Sequence, residues 1–214
     1  MNDQSGDQSD QSDQGDQGDE STSGTRKRPK RGERRMQILQ VLAEMLQDPK
    51  GEKITTALLA KKLGVSEAAL YRHFASKAQM FEGLIEFIEN SVFGLANKIT
   101  AEEDNGVRQL HATIAMLLGF AEKNPGMTRV LTGDALVNEN ERLQARINQL
   151  HDRIEATLKQ CLRVASTQGH EEPEPAARAN MILCYVIGRW HQFAKSGFKR
   201  QPSEGFDKQA PLLI

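Results

Sequence analysis

The sequence predicts an all-α protein, and two features of its patterning carry that expectation. Apolar residues recur every three or four positions through most of the chain after residue 33, which is the spacing of one helix face. No segment alternates apolar and polar residues as a half-buried strand would. We expect an N-terminal three-helix domain with a helix-turn-helix at residues 33–77, followed by a C-terminal helical dimerisation and partner-binding domain at residues 78–214.

Residues 1–32 differ from the rest of the chain in composition. Residues 3–19 repeat Asp-Gln-Ser or Asp-Gln-Gly with a period near three, and a segment without an apolar face cannot offset the entropy cost of ordering. We therefore predict a disordered acidic repeat followed by a basic arm. Two interpretations of the repeat stay open: it competes with DNA for the basic surface beside it, or it is a solvated tail without a role.

Charge is distributed unevenly along the chain, although the net charge is −1. Residues 1–24 contain seven acids and no Lys or Arg, whereas residues 25–81 contain thirteen Lys or Arg and five acids. Seven of the ten residues in RKRPKRGERR, Arg26 to Arg35, are basic. Because electrostatic potential follows local charge, this segment predicts a surface that binds a polyanion. The arm could follow phosphates or enter a groove, or it could only keep the flank soluble.

The stretch ITTALLAKKLGVSEAALYRHFASK, residues 54–77, has the pattern of a helix-turn-helix. Thr55 or Thr56 can cap a first short helix, because a hydroxyl accepts a hydrogen bond from an orphan N–H of the first turn. The leucines of that helix, Leu58 among them, are expected to face inward. Gly64 can adopt a positive φ without steric cost, as a tight turn requires.

The second helix of this motif carries small and polar residues outward. Ser66 can cap it, and Leu70 can anchor it to the helices beneath. A helix that enters the major groove needs a slim surface with polar edges. An ordinary helical hairpin is the alternative, but the basic surroundings favour a DNA-binding motif.

The chemistry of the exposed residues suggests their roles on DNA. Hydroxyl and N–H groups at a helix N-terminus can bind phosphate, arginine can bond bidentately to guanine, and an alanine methyl can contact thymine. The predicted phosphate contacts are Thr55, Thr56, Tyr71, His73 and Lys77, and the predicted base-edge contacts are Ser66, Glu67, Ala68, Ala69 and Arg72. Phe74 is expected to pack under the second helix, and His73 could instead be an exposed side chain without a role.

Residues 78–214 predict further helices that a second subunit could bury. A near-heptad face is formed by Leu143, Ile147, Leu150, Ile154, Leu158 and Cys161. Residues 176–194 follow as a last helix that is apolar on most sides, and the terminal Pro-Leu-Leu-Ile is expected to pack. We expect a homodimer with a four-helix interface, and an intrachain core is the alternative. Dimers of this kind bind palindromic DNA with half-sites about 34 Å apart.

Other classes of function are disfavoured. The histidines lack metal-ligand spacing, and the chain contains no HExxH, GxSxG or P-loop motif. We expect no catalytic residues, metal or cofactor, and we interpret Asp134 and Glu139 as solvated charges. Cys161 and Cys184 form no disulfide framework, and no apolar run could span a bilayer. The sequence therefore predicts a soluble cytoplasmic protein without membrane contact.

The segment GVSEAALYRHFASK resembles the DNA-binding domain of TetR-type regulators. Three further segments resemble a particular branch of that family, which acts in nucleoid occlusion in gammaproteobacteria. They are IEFIE at residues 85–89, GFAEKNPGMTRVLTG at residues 119–133 and ERLQARINQLHDRIEA at residues 141–156. The resemblance extends from about Arg34 to near the C-terminus and leaves out the Asp-Gln repeat.

The resemblance implies a nucleoid-associated homodimer that acts in cell division. Proteins of this branch bind palindromic double-stranded DNA across the chromosome and antagonise polymers of the division GTPase FtsZ. Septa then do not form over the nucleoid, which couples division to chromosome segregation. In that family the tail of FtsZ docks near the long fourth helix, which points here to Phe87, Gly119, Lys123 and Asn124. The alternative is a ligand-responsive TetR-type repressor. The GFAEKNPG block argues against it, and no small-molecule ligand is expected.

Overall fold

The computed structural model describes residues 31–48 and 54–214. These residues form α-helices, one short 3₁₀ helix and no β-strand, which confirms the predicted all-α class. The α-helices are α1 (Arg31–Met45), α2 (Thr56–Leu63), α3 (Glu67–Tyr71), α4 (Lys77–Glu102), α5 (Gly106–Lys123), α6 (Pro125–Leu131), α7 (Glu141–Thr167), α8 (Pro175–Lys195) and α9 (Phe206–Leu213), and the 3₁₀ helix is Asp134–Leu136.

The predicted acidic repeat and most of the basic arm lie outside the described residues. The first described helix begins at Arg31, two residues before the predicted start at Glu33. Gly32 therefore lies in the first turn of α1. The N–H groups of a first turn have no intrahelical partner, so a glycine weakens a helix less there than in its middle.

Helices α1, α2 and α3 form the expected three-helix unit with a helix-turn-helix. Its core contains Ile38 and Leu42 of α1, Leu59 of α2 and Leu70 of α3, all nearly inaccessible to solvent. The expectation that Leu58 faces inward is wrong, since this side chain is 39 % exposed. Consecutive helix residues point about 100° apart, so with Leu59 directed at the core its neighbour Leu58 turns to the surface.

The body of the protein is built from α4, α5, α7 and α8, which pack side by side. Trp190 of α8 is fully buried in this core, and its indole N–H donates to the carbonyl oxygen of Leu117 in α5 at 3.2 Å. A buried indole without such a partner would lose the hydrogen bond that it makes in water. The interior of the body is therefore apolar, and its largest side chain, Trp190, still has a hydrogen-bond partner for its N–H.

The apolar face of α7 is buried within the chain and not by a second subunit. The six residues of the predicted near-heptad face are each at most 1 % exposed, because α7 packs between α5 and α8. For these residues the intrachain alternative is correct. Helix α8 likewise directs most of its large apolar residues inward, and it leaves one exposed stripe made of Ala177, Met181, Cys184 and Gly188.

The C-terminal segment forms a helix, α9, which the sequence pattern did not reveal. Two side chains of α8 fasten this region: Tyr185 Oη donates to Gln209 Oε1 at 2.6 Å, and the Arg189 guanidinium donates to the carbonyl oxygen of Glu204 at 2.7 Å. The expected packing of the terminal residues holds for Leu213 and Ile214. Leu212 instead is 82 % exposed.

Helix α6 connects the three-helix unit to the body. At Gly126 the backbone of α6 lies so close to α1 that an added Cβ would stand 1.9 Å from the carbonyl oxygen of Ala43, so only glycine fits. Arg129 Nη1 donates to the carbonyl oxygens of Leu46 at 3.3 Å and Asp48 at 3.2 Å, which lie at the end of α1. These contacts fix the position of the three-helix unit on the body.

Candidate DNA-binding surface and partner groove

The turn between α2 and α3 has the predicted local geometry. Gly64 takes the left-handed conformation with φ 66°, and its N–H donates to the carbonyl oxygens of Ala60 and Lys61. Thr55 caps α2, because its hydroxyl accepts from the N–H of Leu58, and Ser66 caps α3 by accepting from the N–H of Ala69. Both hydroxyls are thus engaged by helix ends, while the remaining first-turn N–H groups can still meet a phosphate.

A small polar cluster links α2 and α3 at the surface. The hydroxyl of Thr56 donates to Glu67 Oε2 at 2.6 Å, and the hydroxyl of Tyr71 lies 3.4 Å from the Thr56 oxygen. The carboxylate of Glu67 also lies in the first turn of α3, where the helix dipole favours a negative charge. Three predicted DNA contacts are therefore hydrogen bonded to one another in the free protein.

The outer surface of α3 has the slim, polar character that was predicted. Ser66, Glu67, Ala68 and Arg72 are exposed, and Ala69 is half-buried at the side of the helix. Tyr71 is exposed at the end of α3. This surface offers two methyl groups, a hydroxyl and a guanidinium, which is a set that can contact base edges in a major groove.

Positive charge surrounds α3. Among the described residues, Lys61, Lys62 and Arg72 are exposed and form no ion pair with a carboxylate. Cations without an intramolecular partner keep their full attraction for a polyanion. Lys61 and Lys62 also occupy the last turn of α2, so the basic surface covers both helices of the motif.

The end of the motif is held by α1. The Arg35 guanidinium donates to the backbone carbonyl oxygen of His73 and stacks on the Phe74 ring, 4.1 Å from its centroid. Phe74 is buried, as expected for the anchor of α3, and His73 is half-buried. The predicted phosphate contact at His73 therefore belongs to a side chain that is only partly accessible.

Lys77 begins α4 as predicted, but its ammonium is not free. It forms an ion pair with the carboxylate of Glu139, which lies between the 3₁₀ helix and α7. Its ammonium also lies 5.6 Å from the centroid of the Phe81 ring. The interpretation of Glu139 as a solvated charge is wrong, since only 14 % of its side chain is exposed. Asp134 pairs with Lys195 at 3.2 Å.

A groove of about 530 Å³ runs between α1 and the body, and it contains three of the four predicted partner contacts. Phe87 of α4 and Lys123 and Asn124 at the end of α5 line one wall. The Asn124 side chain donates to the carbonyl oxygen of Phe120 at 2.8 Å, which ends α5 and orients the amide. Gly119, the fourth predicted contact, lies one turn earlier on α5 and is not among the lining residues.

The other wall of this groove belongs to α1 and the turn that follows it, and the sequence did not reveal it. Its residues are Met36, Leu39, Gln40, Ala43, Glu44 and Gln47. Met36 is 49 % exposed. It is an apolar residue that lies off the face of α1 formed by the buried Ile38 and Leu42, and this placement is the sequence signal that could have pointed to the groove. The groove is thus apolar along its floor, with Lys123 and Glu44 offering one charge of each sign.

Two further searches of the structure bear on other classes of site. Over residues 31–48 and 54–214, no group of three or more His, Cys, Asp or Glu side chains could hold a metal ion. None of the described helices is long and apolar enough to cross a membrane.

Comparison with known proteins agrees with this architecture. Residues 39–84 match the family described as bacterial regulatory proteins, tetR family. Residues 104–214 match the SlmA-like model described as tetracyclin repressor-like, C-terminal domain. The fold is similar to that of PfmR, a TetR family transcriptional regulator from Thermus thermophilus. The TM-score is 0.69 at 23 % identity, and the match covers 83 % of this chain and 96 % of that chain. At this identity the likeness supports the fold alone.

Two relatives are much more similar in sequence. The nucleoid occlusion factor SlmA of Alteromonas mediterranea is 53 % identical over 170 residues, which cover 78 % of this chain and 87 % of the relative. The protein of the same name from Idiomarina loihiensis is 50 % identical over 174 residues, which cover 80 % of this chain and 89 % of the relative. TetR-type DNA-binding regulators are not enzymes, and they act as dimers. The chain therefore belongs to the TetR family of bacterial regulatory proteins and, within it, to the SlmA nucleoid occlusion factors.

Proposed function

We propose that this protein is a nucleoid occlusion factor. As a homodimer it binds palindromic sites on the chromosome, and in the DNA-bound state it antagonises FtsZ polymers so that the division ring does not assemble over the nucleoid. The observation that carries the proposal is the 50 to 53 % identity to nucleoid occlusion factors over most of the chain. The protein then acts in the cytoplasm, on the nucleoid, and couples division to chromosome segregation.

The DNA-binding part of the proposal is supported by the surface of α3. Its exposed methyl and polar groups suit the floor of a major groove, and the unpaired cations Lys61, Lys62 and Arg72 suit the phosphates on either side. The N-termini of α2 and α3 add N–H groups for phosphates. In this assignment Arg72 contacts a base, and Thr55, Thr56 and Tyr71 contact the backbone.

Dimerisation is supported by the exposed stripe of α8. Ala177, Met181, Cys184 and Gly188 follow one another at helical spacing, and Met181 is 66 % exposed. Small residues allow a partner helix to approach closely, and Met181 supplies apolar area to bury. Two copies joined along α8 would bring two α3 helices to one face of DNA, as a palindrome requires.

The FtsZ part of the proposal is supported by the groove between α1 and the body. An apolar floor of Leu84, Phe87 and Met127 can accept apolar side chains of a peptide, and Lys123 can pair with an acidic one. The amide of Asn124 can bond to the peptide backbone. Because α1 forms one wall, a bound segment would contact both the DNA-binding unit and the body.

Genome-wide occupancy of the protein in its host tests the chromosomal role. We expect many palindromic sites over most of the chromosome and few near the replication terminus. A handful of promoter sites beside its own gene would instead support a ligand-responsive repressor.

The variant Ala69→Glu should lose the sites, since it places a carboxylate near phosphates. Ala156→Glu, a matched change on the exposed side of α7, should keep them.

Sedimentation of FtsZ polymers with operator DNA present tests the partner groove. We expect the protein to reduce the pelleted FtsZ and Lys123→Glu to abolish this effect while leaving operator affinity unchanged. Lys208→Glu makes the same charge change on the exposed surface of α9 and serves as the control. Equal loss of activity in both variants would count against the groove. If both variants still reduce the pelleted FtsZ as wild type does, Lys123 does not take part in the contact.

A further inference from the structure

The ion pair between Lys77 and Glu139 joins the DNA-binding motif to the body. The two residues are 62 positions apart in the chain, and only 23 % of the Lys77 side chain and 14 % of the Glu139 side chain are exposed. Lys77 opens α4 directly after the helix-turn-helix, whereas Glu139 precedes α7. The contact is therefore a tertiary one, and it removes a cation from the surface that is proposed to meet phosphates.

A DNA phosphate and the Glu139 carboxylate compete for the single ammonium group of Lys77. Two anions beside the same lysine repel each other, and this repulsion is strong where water is partly excluded. A carboxylate that loses its cation in a half-buried place is destabilised in turn. This repulsion favours movement of Glu139 toward solvent when Lys77 contacts a phosphate.

The segment that carries Glu139 is built to move. It is a short connection between the 3₁₀ helix and α7. Its backbone is held by the bond from the Glu139 N–H to the carbonyl oxygen of Leu136 at 3.0 Å and, where α7 begins, by the bond from the Leu143 N–H to the carbonyl oxygen of Asn140 at 2.9 Å. Val137 is 68 % exposed, and Asn138 has a left-handed φ of 65°. A residue other than glycine in that conformation gives up a little stability, so release of the segment costs less than unwinding a helix.

We propose that Glu139 is a positioning residue that competes with a DNA phosphate for Lys77. In the free protein the ion pair with Glu139 keeps the Lys77 ammonium from phosphates. This lowers the affinity for all DNA sequences equally. On DNA the phosphate takes the ammonium, and residues 137–139 are released at the surface of the body, while Asn140 stays in place as the cap of α7. The conformation of this segment therefore differs between the DNA-bound protein and the free protein. This inference rests on the proposed DNA contact at Lys77.

The chain supplies a matched control for this idea. Asp134 lies five residues before Glu139 at the start of the 3₁₀ helix, and it pairs with Lys195 and not with Lys77. Asp134→Asn and Glu139→Gln remove the same charge at positions that are five residues apart. A difference between the two variants therefore reports the contact with Lys77 and not the general field of the protein.

Fluorescence anisotropy with operator DNA and with a random duplex of equal length tests the proposal. We expect Glu139→Gln to bind both duplexes about twofold to fivefold more tightly, the range for loss of a competing, partly exposed ion pair. Asp134→Asn should change affinity by less than about twofold. Lys77→Ala should weaken both duplexes and reduce the salt slope by about one, and adding Glu139→Gln to it should give no gain.

Several outcomes would overturn the inference, and they can be told apart. If Glu139→Gln weakens binding, Glu139 orients Lys77 for DNA and does not compete for it. If it tightens binding equally in the Lys77→Ala background, the effect is not exerted through Lys77. If Lys77→Ala leaves affinity and salt slope unchanged, the proposed phosphate contact itself fails.

Hydrogen exchange of the wild-type protein gives a second, independent measurement. Operator DNA should accelerate exchange of the Glu139 amide, because its bond to Leu136 is lost on release. An unchanged or slower rate on DNA would contradict the release of residues 137–139, even if the affinities behave as expected.

Discussion

Helices α3 and α7 are held in place by different interactions. Helix α3 has five residues and buries one of them, Leu70, so it depends on the Ser66 cap, the Thr56–Glu67 hydrogen bond and its neighbours. Helix α7 has 27 residues and buries eight along one face. A five-residue helix is not stable alone, whereas a long apolar face stabilises its helix through packing.

The difference shows where the sequence is free to serve binding. In α3 one position is committed to the core, and the others can present methyl, hydroxyl and guanidinium groups to DNA. In α7 the buried face determines stability, and its polar residues lie on the opposite side. Substitutions on the buried face of α7 should therefore change mainly the free energy of unfolding. Substitutions in α3 should change mainly the affinity for DNA.

Leu158→Ala in α7 should have the largest effect on stability. The side chain is fully buried, and loss of a buried leucine with the cavity that remains costs about 3 to 5 kcal/mol. Urea unfolding followed by circular dichroism measures the change. Ala156→Ser on the exposed side of the same helix should stay within about 0.5 kcal/mol of wild type. Similar values for the two variants would mean that α7 is not a core helix.

Leu70→Ala should separate the two regions. It removes the single buried residue of α3, so we expect operator affinity to fall by at least about tenfold, because a local destabilisation of about 2 kcal/mol or more disorders the helix that is proposed to contact bases. The helices of the body should keep their protection in hydrogen exchange. Loss of protection in α7 and α8 as well would show that the three-helix unit and the body unfold as one.

The local parts of this molecule could be predicted from the sequence, because the signals are local. Ser66, Gly64 and Leu70 determine the cap, the turn and the anchor of α3 through contacts within a few residues. The apolar spacing of α7 likewise indicated a helix with one buried face. The apolar spacing does not show what buries that face. The same spacing is found whether a helix packs on its own chain or on a second subunit.

The long-range contacts were beyond the sequence. Nothing at Lys77 indicates that Glu139 lies beside it, and the α1 wall of the partner groove depends on how α6 docks against Ala43. The sequence predicts that both Leu58 and Leu59 face the core, whereas of these two only Leu59 is buried. The predicted partner residues Phe87, Lys123 and Asn124 came from a family resemblance, and their common location in one groove is a property of the fold.

Acid should affect the body through His151 of α7. Burial beside the Trp190 ring lowers the pKa of His151 below its usual value, so the folded protein keeps this imidazole neutral while the unfolded chain binds a proton below about pH 6.5. The stability due to the neutral form is present above that pH and is lost as pH falls below it. Urea unfolding at pH 7.5 and 5.5 should show a smaller pH dependence in His151→Gln than in wild type. An equal dependence in the two proteins would place the acid-sensitive group elsewhere.

Ser66→Ala should have a small effect on stability and a clear effect on DNA binding. The Ser66 hydroxyl accepts from the N–H of Ala69 at 3.3 Å, and loss of an N-cap of this kind costs about 1 kcal/mol. Because α3 has a single buried anchor, that loss falls on the helix that is proposed to contact DNA and not on the body. Operator affinity should fall by about fivefold while the urea midpoint of the body changes little. Ser66→Asn keeps a capping oxygen and should retain most of the affinity. If Ser66→Asn binds as weakly as Ser66→Ala, the serine hydroxyl contacts the DNA directly and its role as a cap is secondary.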